Sequence, residues 1–289
     1  MRGARGGPGD FGRRLQRASE LAAASSAAQQ PLSLLVTVLV HQVDRAGAPE
    51  VAAAAHRMTA GAALNRLTGR WPLLELQACV GQLEIEVHHA VDAITAEGAE
   101  LPSALAEHGA ELAAGLDSGG ILQTWLDDPT LVDGRWAFWL GAAAAPLLEV
   151  AAAQVDVPGR NEWSGSACPI CGGLPQTSAI AEESGEFMAG SPRYLICGRC
   201  ATWWSWPRAT CPACGQDDSR KLGSYNADGR SGVRIDACDL CGGYIKAFDL
   251  RVEGSGPVIP VVDDVATLTL DLWAHGQGLA RPVLSMAGV

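Results

Sequence analysis

Between Leu15 and Val157 apolar residues return every three or four positions, and the runs are separated by turn-forming residues. Residues three and four apart share one face of a helix, so this spacing predicts helices over Leu15–Ala28, Leu32–Val43, Val51–Leu67, Val80–Ile94, Ala104–Leu116 and Trp136–Val155. The breakers are Pro31, Gly47–Pro49, Gly69–Pro72, Gly98–Pro102, Asp117–Gly120 and Asp127–Gly134. Amphipathic helices joined by short connections predict an all-α domain. Residues 1–12 precede it; they are rich in Gly and Arg, and this composition predicts disorder.

The pattern changes at about Pro158. The next hundred residues carry eight of the nine cysteines, Gly- and Pro-rich turns, and β-type runs such as Tyr194–Ile196 and Tyr244–Leu250. After Pro260 the stretch DDVATLTLDLWAHGQG reads as one more helix. Asp263 or Asp264 would cap it, Gly276 would end it, and Val265, Leu268, Leu272 and Trp273 have helical spacing.

Composition narrows the classes of function. At 289 residues the chain is long enough for two or three domains. Its most apolar run, Leu34–Val40, is about one-third of the ~20 residues a membrane span needs. Arg13 and Arg14 form a twin arginine. The apolar run begins only after Gln29, Gln30 and Pro31, without a small-residue cleavage site, so an export signal is not expected. The net charge is −11, and residues 161–289 alone hold ten basic and fourteen acidic side chains. A polyanion partner needs a basic stripe, so no nucleic-acid partner is expected.

The cysteines carry the chemistry. Four Cys-x-x-Cys pairs occur: Cys168/Cys171, Cys197/Cys200, Cys211/Cys214 and Cys238/Cys241. Two intervening residues let the chain turn in a knuckle whose amides donate to sulfur. Gly172, Gly215 and Gly242 follow three of the pairs, because glycine accepts positive φ; Ala201 follows the other. Two knuckles complete one tetrahedral four-sulfur site for Zn2+ or for Fe2+/Fe3+. Sequential pairing leaves 25 residues inside the first site and 23 inside the second, with turn material at Gly185–Arg193 and Asn226–Gly229. The ten residues between Cys200 and Cys211 are short for a ribbon loop, so the sites are expected to be Cys168/Cys171/Cys197/Cys200 and Cys211/Cys214/Cys238/Cys241. A disulfide framework would need an oxidising compartment, and a thioredoxin-type pair would come singly beside a βαβ pattern. Lone Cys79 reads as a small buried hydrophobe.

Between the second and third pairs lies ATWWSWPRAT. On an extended strand Trp204 and Trp206 share one face, and Trp203 and Ser205 the other. The strip either packs between domains or forms a partner-binding patch. Glu84 and His88 lie one turn apart on a helix, as metal ligands or as a solvated face. His41, His56, His108 and His275 read as ordinary helix residues. There is no nucleophile elbow, phosphate loop or dinucleotide fingerprint, and no enzymatic activity is expected.

Taken together, CPICGGLP, SPRYLICGRCATWWSWPRATCPACG, ACDLCGGYIKAFD and VVDDVATLTLDLWAHGQGL resemble the FdhE family of formate dehydrogenase accessory proteins. The resemblance covers about residues 166–280; RLQRASELAAA…PLSLL…HQV is similar to the family's opening helices more loosely. It implies a multidomain α+β protein: an all-α helical domain over 13–160, rubredoxin-like or zinc-ribbon modules over 161–208 and 209–262, and a C-terminal helix and tail over 263–289. It further implies a cytoplasmic, non-enzymatic maturation factor. Its partner would be the catalytic subunit of a molybdenum- or tungsten-dependent formate dehydrogenase. Tyr194, Trp204, Trp206, Arg208, Asp263 and Asp264 become candidates for partner binding or packing between domains. A rubredoxin-like electron carrier and a nucleic-acid-binding zinc ribbon are the alternatives.

Overall fold

In the computed structural model, residues 7–24, 27–96, 100–115, 119–181, 191–226, 232–252 and 258–284 are described. Most of the Gly185–Arg193 and Asn226–Gly229 turns, Gly98, Asp117 and residues 1–6 of the Gly/Arg-rich start lie outside them. Among the described residues eight α-helices form the N-terminal half: α1 Phe11–Ala24, α2 Gln29–Ala46, α3 Pro49–Thr59, α4 Ala62–Leu67, α5 Val80–Ala96, α6 Ser103–Ala113, α7 Gly119–Asp127 and α8 Gly134–Ala152. Two turn signals act differently from expectation. Pro31 sits inside the first turn of α2, where its missing N–H costs nothing. Helix α7 occupies a stretch flanked by breakers, because Leu122, Trp125 and Leu126 bury against the core.

Helix α8 is the central post. The Asp133 carboxylate accepts from the Arg135 and Trp136 amides and fixes its start. From Phe138 to Ala152 it is buried on nearly all sides, as a helix that is apolar all round must be. Its one acid there, Glu149, accepts both guanidinium nitrogens of buried Arg14 at 2.7 and 2.6 Å, tying α1 to α8. Gly9 N also donates to Glu149, at 2.9 Å, so part of the Gly/Arg-rich start is held to the domain.

Among the described residues six strands follow: β1 Pro175–Ile180, β2 Arg193–Cys197, β3 Trp203–Trp206, β4 Leu222–Asn226, β5 Val233–Cys238 and β6 Tyr244–Asp249. They make one sheet in the order β3-β2-β1-β6-β5-β4. Each half is an antiparallel ribbon, β1-β2-β3 and β4-β5-β6, and the halves join through parallel pairing of β1 with β6, Thr177 opposite Lys246.

The C-terminal segment is two helices, α9 Pro260–Ala266 and α10 Leu268–Gly276, broken at Thr267. Asp263 and Asp264 lie within α9 rather than ahead of it; Asp263 Oδ2 reaches back to accept from the Ile259 amide at 2.8 Å and so satisfies the helix start. Asp264 instead turns into the sheet, where Lys246 Nζ meets Asp264 Oδ1 at 2.8 Å and Asp271 Oδ2 at 2.5 Å. Arg281 pairs with the same two acids at 3.0 and 2.9 Å. Val265, Leu270 and Ala274 are buried, whereas Leu272 and Trp273 face outwards, because the break rotates the apolar face. No helix among the described residues is long and apolar enough to cross a membrane.

Candidate metal centres

The knuckles sit where strands begin and turn. Cys168/Cys171 precede β1 and Cys197/Cys200 form the β2–β3 turn; Cys211/Cys214 precede β4 and Cys238/Cys241 form the β5–β6 turn. Each ribbon thus brings two knuckles to one end. The backbone does this as the residue types require: Gly172, Gly215 and Gly242 hold φ of 74°, 76° and 67°. Ala201, where glycine is missing, is still driven to φ 51°. A left-handed alanine costs roughly 1–2 kcal/mol, so the knuckle geometry outweighs the residue's own preference.

Two groups of four sulfurs result, Cys168, Cys171, Cys197 and Cys200, and Cys211, Cys214, Cys238 and Cys241, each within 4.8 Å of one another. Opposed pairs lie closer: Cys168 to Cys200 at 3.7 Å, Cys171 to Cys197 at 3.5 Å, and Cys211 to Cys241 and Cys214 to Cys238 both at 3.8 Å. Tetrahedral bonds of ~2.3 Å to one ion would separate the sulfurs by ~3.8 Å, while a disulfide would need ~2.05 Å. The residues therefore fit a tetrahedrally bound ion and not a bridge. Backbone amides already point at sulfur: Ile170 N to Cys168 Sγ at 3.4 Å, Arg199 N to Cys197 at 3.3 Å, Ala213 N to Cys211 at 3.4 Å and Gly243 N to Cys241 at 3.3 Å. Such donors stabilise thiolates. Burial pushes the Cys168 and Cys200 thiols far up, whereas hydrogen bonds from its three neighbours outweigh burial at Cys197 and hold it low. Four thiolates this close need a cation; soft sulfur donors suit Zn2+ or iron, and a filled tetrahedron leaves no position for substrate.

The two clusters differ in surroundings. All four cysteines of the first are buried, within the core that also holds Trp139 and Trp204. Leu73 and Leu74 amides donate to Pro169 and Ile170 carbonyls at 2.9 Å each, so the helical half grips the first knuckle directly. In the second cluster Cys214 and Cys241 are exposed. A cavity of about 230 Å3 beside Cys211 and Cys238 is lined by Arg193, Arg208, Arg234 and Asp236. Three arginines and one aspartate offset the charge of −2 that four thiolates around a divalent ion would carry.

The remaining candidates separate. Trp204 is 2 % exposed and Trp206 7 %, facing the core; Trp204 Nε1 donates to Gly165 O at 3.3 Å and Trp206 Nε1 to Thr210 O at 2.9 Å. Tyr194 is half-buried, its ring 6.2 Å from Trp203, and Arg208 is exposed. Asp263 pairs with Arg17 of α1 at 2.6 Å, and Asp264 belongs to the buried Lys246–Arg281 network. Buried Cys79 lies 3.1 Å from Met58 Sδ, and burial raises its thiol to about 12. His88 is exposed, and Glu84 and His88 form no metal-ligand group among the described residues. Two residues near the first cluster escaped sequence reasoning: Thr202, whose Oγ1 is 3.1 Å from Cys200 Sγ, and Arg199, which bonds the Trp125 and Leu126 carbonyls of α7. Thr202 two places after a ligand was a readable signal; a distant helix end was not.

Residues 167–208 match the family domain described as FdhE, central domain, and residues 209–286 match FdhE, C-terminal domain. The "Protein FdhE homolog" of Aquifex aeolicus (strain VF5) is 32% identical over 149 residues, 52% of this chain and 50% of that protein. Its namesake in Shewanella oneidensis is 36% identical over 150 residues, 52% of this chain and 44% of the relative. These matches span about half the length of the relatives. The crystal structure of the FdhE protein from Pseudomonas aeruginosa has the same fold, with a TM-score of 0.67 over 94% of this chain and 93% of that one at 21% identity.

Proposed function

The chain belongs to the FdhE family through its central and C-terminal domains, and from that premise we propose that it is an accessory protein. It would bind the catalytic subunit of a molybdenum- or tungsten-dependent formate dehydrogenase in the cytoplasm during maturation and assembly. The eight paired cysteines hold two mononuclear ions, Zn2+ or Fe2+/Fe3+. The observation that carries this reading is the grouping of four sulfurs within 4.8 Å, with opposed pairs at 3.5–3.8 Å, in domains that match this family. Closed sites of this kind fix a surface or pass one electron; they do not activate water. The net charge of −11 argues against nucleic acid.

Exposure of Cys214 and Cys241 favours a second reading, a rubredoxin-like electron carrier whose second site meets its redox partner. Anaerobic purification with elemental analysis separates the two. The accessory reading expects two ions per chain and stable co-purification of the catalytic subunit. Two redox-active irons without subunit capture favour the carrier, and absence of bound metal refutes both.

A further inference from the structure

The two ribbons repeat one plan, so their knuckles can be matched: Cys197/Cys200 in the β2–β3 turn correspond to Cys238/Cys241 in the β5–β6 turn. On that match Ala201 stands where the second ribbon has Gly242, and Thr202 where it has Gly243. The two turns differ in what reaches the last sulfur. In the second cluster the Gly243 amide donates to Cys241 Sγ at 3.3 Å. In the first, no backbone amide of the described residues bonds Cys200 Sγ; the group beside it is the Thr202 side chain, with Oγ1 at 3.1 Å. A side-chain hydroxyl stands where the other ribbon uses a main-chain amide.

The surroundings dedicate that hydroxyl to the sulfur. Thr202 and Cys200 are both 0 % exposed, so water cannot take the O–H. Among the described residues Cys200 Sγ is the partner the hydroxyl has. A buried O–H needs an acceptor, and a metal-bound thiolate is a far stronger one than a neutral thiol. The hydroxyl's demand is therefore met in full when Cys200 ligates an ion. The chain holds the group in place: Cys197 N donates to Thr202 O at 3.0 Å across the knuckle, and the branched Cβ of threonine leaves its hydroxyl few rotamers.

We propose that Thr202 is a positioning residue of the first metal centre, its hydroxyl donating to the metal-bound Cys200 thiolate and so strengthening that centre's hold on its ion. This rests on the reading that the four cysteines hold an ion. Groups that hydrogen-bond a metal's ligands typically account for about 10–100-fold in metal affinity. The same bond stabilises negative charge on sulfur, which is greater in the reduced state, so with iron in the centre it raises the reduction potential. Glycine at the matching position of the second centre has no side chain to do this.

Thr202→Val removes the hydroxyl and keeps the branched shape; Thr202→Ser keeps the hydroxyl and drops the methyl group. The parent chain and both variants are loaded with Zn2+ and titrated with a chromogenic chelator. Freed thiols are alkylated and mapped by mass spectrometry, which assigns each loss to a cluster. The expected result is that Thr202→Val weakens the first cluster's hold on Zn2+ by about tenfold or more, that Thr202→Ser stays close to the parent chain, and that the second cluster is unchanged in both. Iron-loaded chains give an independent readout: in Thr202→Val the first centre's reduction potential falls and its sulfur-to-iron charge-transfer absorption shifts, and Thr202→Ser restores both. If Thr202→Val does not fold, Thr202→Ser against Thr202→Ala makes the same comparison without the methyl group. Retention by Thr202→Val equal to that of the parent chain overturns the proposal. Equal weakening by the valine and serine variants also overturns it, by assigning the effect to packing; both results leave the metal centres standing. A parent chain that binds no ion removes the centres and this proposal together.

Discussion

Replacing Cys171 with alanine and, separately, Cys241 with alanine should have very different consequences, because the clusters are embedded differently. Structural tetrathiolate sites contribute on the order of 10–16 kcal/mol in small peptides, and most of that is folding free energy. A whole domain has only about 5–15 kcal/mol in hand. Around Cys171 the sulfurs are buried beside Trp139 and Trp204, and water has no route to the vacated ligand position. The knuckle also accepts the Leu73 and Leu74 amides that bind the two halves of the chain. Cys171→Ala is therefore expected to lose one metal equivalent and to lower the main unfolding transition by more than about 20 °C, or to prevent folding. Around Cys241, itself exposed, water can take the fourth position. Cys241→Ala should weaken one ion's retention against a chelator while moving the main transition by less than about 5 °C, on the usual conversion of ~2–4 °C per kcal/mol. Elemental analysis before and after chelator treatment, followed by scanning calorimetry, reads both quantities. If Cys171→Ala unfolds at the wild-type temperature with both ions in place, the account of the first cluster is wrong.

Other outcomes follow from single contacts. Trp204→Ala should cost about 3–5 kcal/mol, the range for emptying a buried tryptophan site, with both metal equivalents retained; loss of metal would contradict a packing role. Ala201→Gly relieves a left-handed alanine and should raise stability by about 1 kcal/mol, measured by denaturant titration; a loss of stability would refute that reading. Lys246→Met leaves Asp264 and Asp271 sharing Arg281 alone and should cost about 3–5 kcal/mol; a neutral result would mean that the cation adds nothing. Burial lowers His41 from 6.5 to about 4. Its folded value lies below its unfolded one, so the unfolded chain binds the extra proton and stability falls as pH drops from about 6.5 towards 4. His41→Leu should flatten that slope between pH 6.5 and 5; an unchanged slope would place the titration elsewhere.

Local chemistry was readable along the chain wherever neighbours in sequence decide the outcome. The Cys-x-x-Cys pairs, the glycines behind them, the helical spacing and the alternation that buries Trp204 and Trp206 but not Trp203 and Ser205 all act within a few residues. Helix α7 was not among the expected helices, and Asp264 does not take the cap open to it, for the opposite reason. Leu122, Trp125 and Leu126 gain a helix only from the core they meet, and Asp264 leaves the cap because Lys246 and Arg281 wait inside the sheet. No periodicity predicts the parallel seam of β1 and β6, which fuses the two ribbons, since parallel partners lie far apart in sequence. The same holds for the burial of one cluster and exposure of the other, and for Arg199 reaching the end of α7. Sequence by itself determined which groups could make sulfur cages and helices, because those preferences are carried by adjacent residues. Tertiary structure alone decided which cage is dry and which surfaces meet, because burial is a property of the assembled chain.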